Sequence, residues 1–194
     1  MVSIENYYKV GTLGYAKINT ENEYKPYAYV INIDKNDFNS IGVELTDGEL
    51  PKNNNEIIIP RHLRNNGKVD LKVGDTITLE VGSRMSEGYA LGQNNPYEET
   101  NNETIENTVS VTYKVVGIFE RPSTALEPFS SPGYTFITTN ASGVKNYKVF
   151  ARYTKDGLKN QYKVTAGILG VDAKLLEKDI TLESNYVEIS EKEL

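Results

Sequence analysis

Apolar residues along this chain recur mostly at every second position, in short runs separated by Gly, Pro, Asn and Asp. That period predicts a mainly β domain. The pattern is clearest over residues 49–81, ELPKNNNEIIIPRHLRNNGKVDLKVGDTITLEV, and over residues 111–122, VTYKVVGIFERP. Within the first stretch, residues 56–59 predict a short strand after a polar turn at Asn53 to Asn55. Pro60 then suits the first position of a one-to-two-turn helix, which Asn66-Gly67 ends. Residues 72–81 predict a second strand, with Ile77, Leu79 and Val81 facing inward and Thr76, Thr78 and Glu80 facing solvent. Residues 109–120 carry the strongest strand signal in the chain, and Arg121-Pro122 ends it.

The same reading extends to both sides. Residues 7–18, YYKVGTLGYAKI, predict a strand bent at Gly11 and Gly14. In residues 26–33, PYAYVINI, both faces are largely apolar, as in a central strand. Asp34 is a candidate N-cap for a short helix over residues 35–42, with Phe38 and Ile41 on one face and Gly42 at its stop. Further strands are expected over residues 134–138 and 147–153. Residues 163–169 suggest a strand, Asp172 a cap for a short helix over 173–178, and residues 186–189 a closing strand. Between strands, residues 82–108 nearly lose the apolar signal. A connection of that length is unusual inside a compact domain, and an ordered excursion, a mobile loop and a partner-binding arm are all open readings. Its few anchors are Tyr89, Leu91 and Tyr97, which mark it as a candidate partner surface. Residues 123–133 form a second long connection, rich in Pro, Gly and Ser.

Size and charge narrow the function classes. A chain of 194 residues buries roughly 70% of its unfolded surface, enough for a core without disulfides or metals, and one domain of two small lobes is expected. Only 38% of the residues are hydrophobic, and Tyr outnumbers Phe by 14 to 5, which suits half-buried strands and contact surfaces. A net charge of -6 argues against nucleic acid, which is bound through clustered Lys and Arg. The absence of Cys removes disulfides, thiolate catalysis and Cys-ligated zinc. No run approaches the roughly 18 apolar residues of a membrane helix, and the first residues show no basic or apolar leader region. The expectation is therefore a cytosolic chain or a piece of a larger protein.

Candidate chemistry is sparse. His62 is the only histidine; in PRHLRN it reads as a surface residue on a short polar helix rather than a general base. A Ser–Lys dyad needs only spatial proximity, but no Ser is singled out and no GxSxG elbow occurs. DKNDFNSIGVE departs from a calcium loop, with Phe38 and Asn39 where an oxygen ligand and Gly are required. EETNNETIE reads as a solvated acidic loop. Gly74-Asp75 reads as a turn, Gly taking the awkward backbone angles and Asp bonding the chain beyond it. Glycosylation sequons at Asn102 and Asn140 are expected by chance in so Asn-rich a chain. Tyr24, Tyr27 and Tyr29 could form a carbohydrate or peptide platform, with strand packing as the default. No catalytic residue, metal ligand or cofactor site is assigned.

GELPKNNNEIIIPRHL, KVGDTITLEVGSR, YKVVGIFERP and SPGYTFIT, in that order, resemble the extracytoplasmic domain of FtsX-like ABC transporter permeases, the group with MacB-like periplasmic core domains. One departure is Glu49, where Arg is common in the family. The matching pieces fall between about residues 30 and 139. The resemblance implies an α+β fold: a β-rich mixed domain with short helices and two small lobes, in which residues 82–108 belong to a variable outer lobe. It implies a single extracytoplasmic domain over residues 1–194, inserted between membrane helices of a larger bacterial permease. It also implies a non-catalytic role, moving with ATP-driven cycles of a separate cytoplasmic ATPase subunit and meeting substrate or partner outside the membrane. The alternative is a free-standing secreted or surface β-module that binds glycan or peptide through its Tyr-rich strands and Tyr97. A hydrolase resting on unassigned Ser, Asp and His residues is a distant third.

Overall fold

The computed structural model describes residues 4–153, Lys163 and residues 186–190. The chain divides into two units, Gly11–Lys145 and a second made of Met1–Val10 with Asn146–Leu194. In chain order the strands are β1 (Ile4–Lys17), β2 (Tyr27–Ile33), β3 (Leu45–Gly48), β4 (Glu56–Pro60), β5 (Thr76–Ser86), β6 (Tyr89–Ala90), β7 (Thr104–Phe119), β8 (Gly133–Thr138), β9 (Asn146–Tyr153) and β10 (Tyr186–Ser190). A short helix, α1 (His62–Gly67), follows β4.

In the larger unit the strands run β1-β2-β8-β4-β7-β5, and β5 returns to β1 through Tyr15 opposite Gly82. Six strands thus close into a small barrel, which leaves them no open sheet edge. The barrel is mixed: β2 with β8 and β4 with β7 are parallel, whereas β4 with β8, β5 with β7 and β1 with β5 are antiparallel. β3 and β6 are additions, paired with β7 and β5.

Alternation fills this barrel. Leu13, Ala28, Val30, Ile57, Ile59, Leu79, Val81, Tyr113, Val115, Tyr134 and Phe136 form one buried cluster with Leu63 of α1. Small residues face large ones across the parallel pair, Ala28 beside Tyr134 and Val30 beside Phe136, which suits a narrow interior. β2 and β8 are buried along their whole length on both faces, as a central strand should be.

Two glycines make the closure possible. Gly14 has φ of 143°, and a Cβ there would lie 2.2 Å from the Gly82 carbonyl oxygen. A Cβ on Gly82 would lie 2.5 Å from the Glu106 carbonyl oxygen. Backbone meets backbone at this seam, so no side chain fits at either position.

In the other unit β10 pairs antiparallel with β9, from Tyr186 opposite Arg152 to Ser190 opposite Lys148. β9 lies beside β1, and the Tyr8 and Phe150 rings stack with centroids 5.1 Å apart.

Several expectations are corrected. Residues 35–42 form successive turns rather than a helix. Asp34 Oδ1 accepts the Asn36 backbone N–H at 2.9 Å, an Asx turn that competes with helix initiation; Phe38 and Ile41 are nonetheless buried. Pro60 ends β4, opposite Phe119, and does not open the helix. The helix does end at Gly67 as expected, with Lys68 taking the left-handed conformation beyond it at φ of 56°. Asp75 bonds backwards, accepting the Lys72 N–H at 2.9 Å. Of the readings open for residues 82–108, the ordered excursion is found, and the strands flanking it are longer than expected, β5 running to Ser86 and β7 starting at Thr104. The β-rich mixed domain expected is found, as a barrel, but in place of the short helices this unit has one short α-helix among its described residues. Of residues 163–169 only Lys163 is described, as helical, and the helix expected over 173–178 lies outside the described residues.

The seam separates two kinds of glycine. Gly14→Ala is expected to lower unfolding free energy by about 3 kcal/mol or more, because the new methyl meets backbone. Gly42→Ala, with open space around it but φ of 66°, should lose only about 1 kcal/mol of backbone strain. Urea titrations of the two variants measure the difference, and equal losses would show that the seam is not sterically closed.

Candidate functional site

The excursion between β5 and β7 is organised by one side chain. Arg84, on β5, is 1% exposed. Its Nε donates to Glu103 Oε2 at 2.6 Å and its Nη2 to Glu103 Oε1 at 2.5 Å. Nη1 donates to the Gly92 and Asn95 carbonyls at 3.0 and 2.7 Å, and Nη2 to the Pro96 carbonyl at 3.0 Å. The guanidinium thus uses its full fork of donors. It also lies over the Tyr15 and Tyr27 rings, 6.0 and 5.6 Å from their centroids. Tyr27 Oη in turn donates to Glu103 Oε2 at 3.2 Å. Gln93 adds a second anchor through Nε2 to the Gly133 carbonyl at 3.0 Å.

This arrangement places the three candidate partner residues differently. Tyr89 on β6 is 75% exposed. Leu91 is partly buried, its N–H donating to the Arg84 carbonyl at 2.8 Å. Tyr97 is also partly buried, its ring edge-on to Tyr27 at 5.9 Å. The platform considered at Tyr24, Tyr27 and Tyr29 does not form: Tyr27 and Tyr29 are buried against Tyr15, and only Tyr24 is exposed.

A second buried cluster lies at one end of the barrel, and sequence reasoning missed it. β2 and β8 begin at this end, while β4 and β7 finish there, so four connections converge. They bring Lys25 before β2, His62 after β4, Arg121 after β7, and Glu127 and Ser131 before β8. Glu127 is fully buried. Its Oε1 accepts from Lys25 Nζ at 3.0 Å and from His62 Nε2 at 2.7 Å, and its Oε2 accepts the Thr135 backbone N–H at 2.8 Å. His62 is therefore not the surface residue expected, its side chain being only 18% exposed. Because Nε2 donates, Nδ1 is the free nitrogen, buried and without a partner.

Burial alone would raise the Glu127 pKa. The hydrogen bond from His62 and the charge of Lys25 outweigh it and hold the carboxyl down at about 2. Burial lowers the Lys25 pKa, and Glu127 counters that shift with its charge and hydrogen bond. Lys25 Nζ also donates to Ser131 Oγ at 2.8 Å and to the Ser131 carbonyl at 3.0 Å. This is the Ser–Lys proximity that a sequence does not reveal, yet its geometry is that of a clamp. A general base needs a free lone pair aimed at the hydroxyl. Lys25 instead directs three protons to three acceptors, and Ser131 is 1% exposed. Among the described residues no three His, Asp or Glu side chains gather as metal ligands.

Beside the cluster opens a cavity of about 260 Å³, lined in part by Lys25, His62, Arg121, Tyr24 and Phe129. The Arg121 guanidinium sits 4.5 Å from the centroid of the Phe129 ring, which is 78% exposed.

No protein-family model matches the sequence, and no curated protein does. Among solved structures, the chain matches a domain of a proposed permease protein from Porphyromonas gingivalis at 15% identity and a TM-score of 0.46, over 96% of this chain and 76% of that one. It matches the extracellular domain of the noncanonic ABC-type transporter YknZ from Gram-positive bacteria at 9% identity and a TM-score of 0.46, over 96% and 82%. The periplasmic region of MacB from Actinobacillus actinomycetemcomitans follows at 8% identity and a TM-score of 0.45, over 98% and 73%. Identities this low speak to fold alone.

Both buried ion pairs yield tests. Arg84→Ala leaves Glu103 buried without its partner and should cost about 3–5 kcal/mol. Limited proteolysis should leave residues 87–103 intact in the parent chain and cut there first in the variant; early cutting of both would mean that Arg84 does not hold the excursion. Glu127 carries the pH dependence. Its folded pKa lies below the ordinary carboxylate value, so its stabilisation is complete above about pH 4.5 and fades as pH falls toward about 2. Glu127→Gln should therefore flatten the loss of stability between about pH 4.5 and 2, as read from urea midpoints across that window.

Proposed function

We propose that this chain is a non-catalytic extracellular domain of a bacterial ABC transporter permease of the FtsX and MacB-like kind. The observation that carries the reading is where the resembling segments fall. NEIIIP forms β4, DTITLEV opens into β5, YKVVGIF ends β7 and GYTFIT forms β8. These are four successive strands of the barrel, β8-β4-β7-β5. Segments scattered over the sequence thus build one contiguous wall, whereas the excursion tip and its exposed Tyr89 lie outside them.

In this reading the domain spans residues 1–194 and stands on the outer face of the cell membrane, joined to membrane helices of the permease. ATP is hydrolysed on a separate cytoplasmic subunit, and the domain follows that cycle as a body, meeting substrate or partner outside the bilayer. A closed barrel suits such a part, because its paired strands and packed interior transmit displacement without internal rearrangement. The catalytic alternative loses its best dyad to the clamp at Lys25. The platform alternative loses two of its three Tyr to the core.

These 194 residues carry no Cys, so a single thiol can be placed in the domain once any Cys elsewhere in the gene product has been replaced. In cells making the full-length gene product as Tyr89→Cys, a membrane-impermeant maleimide should label the exposed position without lysis, and segments of about 20 apolar residues should flank the domain. Labelling that appears only after lysis, or soluble flanks on both sides, would overturn the reading.

A further inference from the structure

The cavity beside Lys25, His62 and Arg121 has a charge character opposite to that of the whole chain. The protein carries a net charge of -6, yet among the described residues no Asp or Glu lines this cavity. The nearby carboxylate, Glu127, is fully buried and both its oxygens are occupied, by Lys25 and His62 on one side and the Thr135 N–H on the other. Lys25 is equally committed, with its ammonium protons directed at Glu127 and Ser131. Arg121 is different. Among the described residues its nearest carboxylate oxygen is Glu127 Oε1, at 4.0 Å, and its side chain is 34% exposed. The Phe129 ring beneath its guanidinium holds the planar fork in place. The cavity therefore offers one uncommitted cation, flanked by the exposed rings of Tyr24 and Phe129.

We propose that this cavity binds a small monoanionic carboxylate with an apolar body, its carboxylate on the Arg121 fork and its body between Tyr24 and Phe129. Bidentate geometry and a single charge match a carboxylate. A phosphate dianion would need a second free cation, which Lys25 does not supply. The volume, about 260 Å³, lies below the usual range for a whole drug-sized ligand, so it accommodates a head group and its first few atoms. The apolar remainder lies across the exposed rings. The terminal carboxylate of a short peptide or an acylated amino acid has this chemistry. The inference rests on the cavity alone and is independent of the permease reading.

Isothermal titration of the 194-residue chain with N-acetylphenylalanine at neutral pH tests it, with N-acetylphenylalaninamide and inorganic phosphate as the other arms. Saturable binding of the acid is expected, about tenfold or more tighter than the amide or phosphate. Arg121→Gln should weaken the acid by about tenfold or more, while its urea midpoint stays close to the parent value, because its ion pair with Glu127 is long, at 4.0 Å, and the ring it packs on is itself exposed. Phe129→Ala should weaken the acid without creating affinity for phosphate. Absence of saturable binding by the acid, equal affinity for acid and amide, tighter binding of phosphate, or an unaffected Arg121→Gln variant would each overturn the proposal. None of those results bears on where the domain stands relative to a membrane, which the maleimide labelling decides separately.

Discussion

The barrel is apolar on both faces of its central strands, and the rest of the larger unit answers to that constraint. A strand such as β2, with every residue buried, needs a filled interior on one side and a cover on the other. The interior is supplied by ordinary alternation. The cover cannot be, because the chain has only 38% hydrophobic residues and the segments that reach the outer face are polar. Arg84 is one solution: its guanidinium lies over Tyr15 and Tyr27 and at the same time gathers carbonyls from the excursion and a carboxylate from Glu103. A polar loop thereby becomes a lid over aromatic rings.

Buried charge of this kind serves geometry more than net stability. Taking two ions out of water costs several kcal/mol, which their attraction repays only when the remaining donors and acceptors are also satisfied. Arg84 meets that condition through backbone carbonyls, and Glu127 meets it through Lys25, His62 and the Thr135 N–H. Each network fixes the position of a connection that hydrophobic packing alone would leave underdetermined. The excursion is set by the first, and the loop before β8 by the second.

The difference between these two kinds of order also explains what could be read from the chain. β2, β4, β7 and β8 were legible because alternation and β-branched residues are local signals. β3 was missed because all four of its residues are exposed, which leaves no apolar period to detect. Asp34 was ambiguous between helix cap and Asx turn, since one oxygen serves both. His62 was misread because its partner, Glu127, is 65 residues away, and Lys25 lies 102 residues from that same carboxylate. The excursion was illegible for a related reason. Its organising residue is a charged side chain, and charge in a polar stretch ordinarily means solvent. One signal was present in retrospect: Glu127 stands in LEPF, a carboxylate between apolar neighbours, where burial demands a partner.

The mixed topology explains why the cavity is where it is. Two parallel pairs, β2 with β8 and β4 with β7, meet along the antiparallel contact of β4 with β8. Parallel neighbours need crossover connections, and here four strand ends that no tight hairpin joins are gathered at one end of the barrel. Unpaired backbone at such an end must be satisfied by side chains, and Glu127 does so for Thr135. Once a carboxylate is buried there, cations follow to neutralise it. Lys25 suffices for that, so Arg121, arriving on the connection after β7, is left with its charge turned toward Phe129 and the cavity. A structural requirement of the barrel thus leaves a charged, ring-flanked recess on its surface, whatever the chain is attached to.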